Sequence, residues 1–135
     1  MPTDKAQSSA TPPSSTVLVV DDNKDAADTL AVLLRQFGHE VQTAYDGPSA
    51  VAAARRMRPD IVFLDLALPG FDGIKVAEEI RADAAFNKTL IVALTGFASD
   101  YDRTRAHAAG VDLYLVKPVD LRFIESYVGN AQNNR

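Results

Sequence analysis

The sequence predicts a three-layer α/β sandwich: a parallel sheet of five strands with helices on both faces. Three observations predict it. Short apolar runs alternate five times with segments whose apolar residues recur at helical spacing. Most of these runs are continuous rather than alternating, the pattern of strands covered on both faces. Four of them end in reactive side chains, namely Asp21-Asp22, Asp65, Thr95 and Lys117. In an open parallel sheet the carboxyl ends of the strands share one edge, and ligands bind there.

Each element has its own signal. Thr16 to Val20 is a largely β-branched run and predicts the first strand. Ala27, Leu30, Leu34 and Phe37 recur at helical spacing, and Gly38 stops that helix. Glu40 to Ala44 alternates polar and apolar residues, which suits a shorter strand at the sheet edge. Asp46-Gly47-Pro48 is a turn whose proline is placed to open the next helix, from Ser49 to Met57, which closes before Pro59. Ile61 to Asp65 and Leu90 to Thr95 predict two more buried strands, with a helix around Ile74 to Arg81 between them. A weakly apolar helix from Asp100 to Ala109, stopped by Gly110, leads to the fifth strand, Leu113 to Val116. Asp120 reads as an N-cap, and Ile124, Tyr127, Val128 and Ala131 stripe the last helix.

Composition narrows the function. With 135 residues the chain has the size of one domain, and 47% hydrophobic against 24% charged residues is ordinary for a globular protein. A net charge of −4 argues against direct nucleic-acid binding, which calls for a basic patch. The absence of cysteine rules out disulfides and thiolate metal sites and agrees with a reducing compartment, so a cytoplasmic location is expected. No apolar run approaches the roughly 20 residues that span a bilayer, and no membrane association is expected. Residues 1–15 are rich in Ser, Thr and Pro and read as a flexible tail or linker. The domain proper is expected over residues 16–132, with a polar end at 133–135.

Several motifs now stand in order: an acidic pair after strand one, Asp65 followed by Pro69-Gly70 and Asp72-Gly73, Thr95-Gly96 after strand four, and Lys117-Pro118 after strand five. From Val17 to about Ala131 the chain resembles the receiver domains of two-component response regulators. That resemblance implies a flavodoxin-like (βα)5 fold with strand order 2-1-3-4-5, an order for which a chemotaxis member of the family is the standard illustration. It implies a phosphoacceptor rather than an enzyme with turnover. The expected donors are a histidine kinase or a histidine phosphotransfer protein.

The side chains support such chemistry. Moving a phosphoryl group onto a carboxylate needs an accessible nucleophile, cations to neutralise its oxygens, and fixed donors around it. Asp65 is the nucleophile. Together with Asp21 and Asp22 it places three negative charges in one cleft, which repel until a divalent cation enters. Mg2+, or Mn2+, suits such oxygen ligands. By resemblance Asp22, Asp65 and the backbone carbonyl of Ala67 touch the metal, and Asp21 acts through a water. Lys117 supplies a compact second positive charge, and Pro118, cis as in the family, aims it inward. The Thr95 hydroxyl donates to a phosphoryl oxygen, and Gly96 lets its amide approach. The resemblance couples Thr95 to Tyr114, three residues before the lysine, as a two-state switch read on the surface of helix four, strand five and helix five.

Other residues carry blander expectations. His39, in a helix-to-strand turn, and His107, on the fourth helix, are expected to face solvent. Arg55, Arg56 and Arg58 end the second helix, where basic side chains favour the macrodipole. Arg103 and Arg105, on the output helix, are expected to be exposed charges. Leu68 and Phe71 stand where the family often has methionine. Ala67 and Phe97 occupy the family's two variable positions that modulate phosphoryl loss; Ala67 cannot position a water, and Phe97 shields the site.

Competing classes fit less well. A haloacid-dehalogenase-type phosphatase needs a second carboxylate two residues after the nucleophile, where this chain has Ala67. A flavin carrier needs a hydroxyl-rich phosphate loop after strand one, where Asp21-Asp22 repel phosphate. The remaining alternative is a pseudo-receiver, an unphosphorylated interaction module, yet no acid and no lysine is missing. Asn23 and the runs Thr95-Gly96-Phe97 and Lys117-Pro118-Val119 resemble receivers fused to hybrid histidine kinases. A stand-alone receiver or an excised module, monomeric or weakly dimeric, is expected.

Overall fold

A computed structural model describes residues 14–67, 72–96 and 99–131. The expectations placed on residues 1–13, on Leu68 to Phe71, on Phe97, on the side chain of Ala131 and on residues 132–135 lie outside these described residues. The elements run β1 (Thr16–Val20), α1 (Lys24–Gln36), β2 (Glu40–Ala44), α2 (Gly47–Met57), β3 (Ile61–Asp65), α3 (Gly73–Arg81), β4 (Leu90–Thr95), α4 (Asp100–Ala108), β5 (Leu113–Val116) and α5 (Leu121–Ala131). The strands are parallel in the order β2-β1-β3-β4-β5, as the sequence predicts. A short 3-10 turn, Ala84–Phe86, joins α3 to β4; its three residues carry no periodicity, and the sequence reading passes over it.

Strand residues alternate between two cores. Val17, Val19, Val41, Ile61, Phe63, Val92 and Leu94 face α1 and α5, where Ala27, Ala31, Leu34, Ile124 and Val128 cover them. Leu18, Val20, Ala44, Val62, Leu64, Ile91 and Ala93 face the opposite layer, built from α2, α3 and α4. Around β1, β3 and β4 both faces are therefore dry, which explains why these strands read as continuous apolar runs. Each fully buried Val, Leu, Ile or Phe contributes roughly 1.5–3 kcal/mol of transfer free energy, so the sheet is the rigid part of the molecule.

Caps set where the helices begin. Asn23, Asp46, Asp72 and Ser99 each accept a backbone N–H of the helix that follows, at 3.1, 2.8, 2.8 and 3.0 Å. Asp120 accepts from the Arg122 amide at 2.9 Å, in the capping place the sequence assigns to it. Gly38 and Gly110 stop α1 and α4 with φ of +95° and +98°, a region costly for any side chain.

One histidine departs from its sequence reading. His39 is buried, 8% exposed, because it precedes β2 beneath Ser15 and α5; its Nδ1 accepts the Ser15 amide at 3.1 Å. Ser15 is itself 2% exposed, and its hydroxyl donates to the Val128 carbonyl at 3.3 Å, so this residue packs with the domain rather than with a tail. Arg81, at the end of α3, links several elements through its side chain. Its guanidinium donates to the carbonyls of Phe86 (2.6 Å) and Gly110 (2.9 Å) and to Asp112 (2.6 Å), and Asp112 in turn accepts the Ile91 amide at 2.8 Å. One side chain thus ties α3, the 3-10 turn, β4 and the α4–β5 loop together.

Two outcomes follow from this packing. Arg81→Ala should lower stability by about 2–3 kcal/mol, since charge-assisted bonds to buried carbonyls lose their donor; urea unfolding checks it. Burial depresses the His39 pKa below its ordinary value, with Glu125 opposing. Its neutral form is favoured in the fold, so this contribution is complete above pH about 6.5 and is lost as pH falls through the depressed folded value. His39→Gln should flatten the acid limb of a stability–pH profile below pH about 6.5, and an unchanged limb would refute the assignment.

Candidate functional site

The carboxyl ends of β1, β3, β4 and β5 converge on one edge. Beyond β1, the Asp21 amide donates to the Ala44 carbonyl at 3.1 Å, which continues the ladder by one residue. This leaves Asp21 5% exposed and Asp22, one residue on, in solvent. Asp65 ends β3 opposite Leu94 and is 6% exposed. Beyond β5, the Lys117 amide donates to the Thr95 carbonyl at 2.7 Å, and the Lys117-Pro118 peptide is cis.

Charge organises these groups. The Lys117 ammonium lies 3.0 Å from Asp21 Oδ2 and 3.5 Å from Asp65 Oδ2, so one cation bridges two buried carboxylates. The Asn23 amide donates to Asp21 Oδ1 and the Ala67 amide to Asp65 Oδ1, each at 3.0 Å. These bonds orient the acids without neutralising them. Burial raises the Asp65 pKa above the usual carboxylate range; the Ala67 amide opposes the shift, neighbouring Asp21 adds to it, and Lys117 offsets part of it. Burial alone would lower the Lys117 pKa, but the Asp21 hydrogen bond and the field of Asp65 outweigh it and hold the ammonium charged.

Asp21, Asp22 and Asp65 each present a carboxylate oxygen within 4.8 Å of the others. Among the described residues, three carboxylates against one ammonium leave an excess of negative charge, and the set offers only hard oxygen donors. That chemistry fits a hard divalent cation held by a few carboxylates and waters.

The geometry also rests on Gly73, which the sequence reading quotes only as part of a motif. A Cβ there would lie 2.6 Å from the Asp65 carbonyl oxygen and from the Leu66 Cα. The first turn of α3 can pass the end of β3 only because this position has no side chain. Asp72 before it caps α3 and also accepts from Arg105 at 3.1 Å, so Arg105 is half buried and paired rather than free in solvent. The sequence reading quotes Asp72 only within a motif, and its partner on α4 had no local signal.

Thr95 is 8% exposed at the end of β4, beside the Lys117 backbone. Tyr114 on β5 packs against the core layer of α2, α3 and α4, and its hydroxyl is buried with no hydrogen-bond partner among the described residues. The Arg103 guanidinium, on exposed α4, covers the Tyr114 ring at 4.5 Å. His107, Arg55, Arg56 and Arg58 are exposed, as expected.

Known proteins resemble this chain over almost the same span. The family model for the response regulator receiver domain matches residues 17–128. The probable transcriptional regulatory protein TcrX of Mycobacterium tuberculosis is 42% identical over 106 residues, covering 78% of this chain and 44% of its own length. This chain therefore spans about half the length of that relative. Among solved structures, the chemotaxis protein CheY4 of Vibrio cholerae superposes with a TM-score of 0.80 at 29% identity, over 86% of this chain and 99% of that one. The receiver domain of sensor histidine kinase PA1611 from Pseudomonas aeruginosa gives 0.76 at 33% identity, over 87% and 99%, and carries a magnesium ion in its active-site cleft.

Excess negative charge at the site has a measurable consequence. In metal-free buffer at neutral pH, Asp65→Asn should melt above wild type, stabilised on the order of 1 kcal/mol, because it removes a buried charge while Lys117 keeps Asp21. Added Mg2+ should raise the melting temperature of wild type more than that of the variant. A variant less stable than wild type without metal would contradict this charge balance.

Proposed function

The chain belongs to the response regulator receiver family, and from that premise we propose that Asp65 is the residue that takes up the phosphoryl group. The observation that carries this reading is the burial of Asp65 at the end of β3, with its carboxylate shared between the Ala67 amide and the Lys117 ammonium. One oxygen is held by a fixed donor, and the other faces the Lys117 ammonium, a cation that can leave it for an incoming group.

In the proposed step a carboxylate oxygen of Asp65 attacks phosphorus in line with the P–N bond of a phosphohistidine. The P–O bond forms, the P–N bond breaks, and the electron pair returns to the imidazole nitrogen. The product is an acyl phosphate. Lys117 then pairs with a phosphoryl oxygen, as a compact ammonium with rotatable donors can do. Asp22, Asp65 and the Ala67 carbonyl would hold Mg2+ directly, with Asp21 acting through a water; the bound cation would neutralise phosphoryl oxygens. The Thr95 hydroxyl donates to a third oxygen, and Tyr114 follows it.

A partner protein has room to approach. A mainly apolar groove of about 670 Å3, lined by Ala26, Leu30, Leu33, Leu94, Val119 and Leu121, opens beside Asp21 and Lys117. It suits the surface of a histidine kinase or histidine phosphotransfer protein presenting its imidazole to Asp65. The chain thus acts as a phosphoacceptor that catalyses its own loading and loses the group slowly. Ala67 has no side chain to position a hydrolytic water, and bulky Phe97 would shield the site. The output face would be α4, β5 and α5, acting on a protein partner or an attached module in the cytoplasm. No helix among the described residues is long and apolar enough to cross a membrane.

With Mg2+ and a small phosphodonor, wild type should gain the mass of one phosphoryl group, and Asp65→Asn should gain none. The acyl phosphate should persist beyond seconds. A wild type that neither gains mass nor binds beryllofluoride would end this reading and favour an unphosphorylated interaction module.

A further inference from the structure

α4 is held to the domain differently from the other helices. Of its nine residues only Ala106 is buried, whereas α2 and α3 each bury five. Apolar packing therefore does little to set its position, and two arginines reach across instead. Arg105 pairs with Asp72 at the start of α3, and the Arg103 guanidinium lies over the Tyr114 ring, 4.5 Å from its centroid.

The second contact has a particular energetic setting. The Tyr114 hydroxyl is buried without a partner among the described residues, and an unpaired buried hydroxyl favours turning the ring outward, where water would satisfy it. Something must offset that tendency. The ring packs on the α2–α4 core, and the Arg103 cation closes over its outer face. A guanidinium over an aromatic face is attracted by the ring quadrupole and, being weakly hydrated, gives up little water to sit there. An outward turn of the ring would remove that contact.

We propose that Arg103 is a positioning residue for the switch: by capping the Tyr114 ring it holds the tyrosine inward and ties its rotamer to the position of α4. This rests on the reading of Asp65 as phosphoacceptor and adds a coupling element to it. If inward Tyr114 is the form that binds the phosphoryl group, apparent affinity scales with the inward fraction. Arg103 thereby tunes affinity at Asp65 without touching it.

A double-mutant cycle tests this, reading the affinity for beryllofluoride in the presence of Mg2+. Arg103→Ala should weaken binding about two- to fivefold, the range expected for an exposed cation–π contact, and Arg103→Lys should restore part of it. In a Tyr114→Leu background Arg103→Ala should have no effect. A Tyr114→Phe background, which keeps the ring and removes the orphaned hydroxyl, should bind more tightly and keep its dependence on Arg103. Ring resonances of labelled tyrosine should report the outward shift in Arg103→Ala directly. Equal affinities for wild type and Arg103→Ala, or the same loss in the Tyr114→Leu background, would overturn the coupling alone. A wild type that binds no beryllofluoride would overturn the phosphoacceptor reading and the coupling with it.

Discussion

The three inner strands of the sheet, β1, β3 and β4, are buried on both faces, and most of the molecule follows from that constraint. A strand that alternates between two dry cores has no position for a charge along its length. Val17 to Val20 and Ile61 to Leu64 obey this residue by residue. Polar side chains can emerge only where a strand ends, and parallel register brings four such ends to one level. The site is in this sense a continuation of the ladder. The backbone bonds from Asp21 to Ala44 and from Lys117 to Thr95 fix the two ends of the charge cluster before any side chain contact is made.

The price of this placement is electrostatic. Two carboxylates at the edge of a dry core repel each other and lack water, and Lys117 touches both. Its ammonium offsets part of the charge and leaves an excess that a divalent cation and a phosphoryl acceptor chemistry can use. A fully neutralised cluster would be more stable and would have no reason to bind anything. Stability is given up where the chemistry needs it, at a place the rigid sheet can support.

The helices divide by how they are held. α1, α2, α3 and α5 bury apolar faces and belong to the high-stability part of the fold. α4 buries Ala106 and otherwise relies on Arg103 and Arg105, contacts that are partly exposed and easily exchanged for water. Elements that move in response to a site are drawn from the weakly held part of a structure. The low apolar content of α4 is a property of its sequence; its dependence on two arginine contacts is a property of the assembled fold.

Much of this was legible from residues alone, for a physical reason. Strand burial, helix stops at Gly38 and Gly110, the turn at Asp46-Gly47-Pro48 and the cap at Asp120 are local matters, written into periodicity and backbone preference. The candidate site was legible because strand ends mark it: Asp21, Asp22, Asp65, Thr95 and Lys117 each close an apolar run, and the parallel topology assembles them. What a residue packs against depends on elements distant in sequence, and no local pattern encodes it. His39 resembles a turn residue until Ser15 and α5 cover it, and Arg81 resembles a helix-end charge until Phe86, Gly110 and Asp112 surround it. The sequence by itself determined which groups stand at the sheet's edge, because main-chain periodicity decides where strands end. Only the tertiary structure decided that Lys117 bridges Asp21 and Asp65, that Arg105 reaches Asp72 and that Arg103 covers Tyr114, because side-chain reach between separate elements is set by how those elements pack.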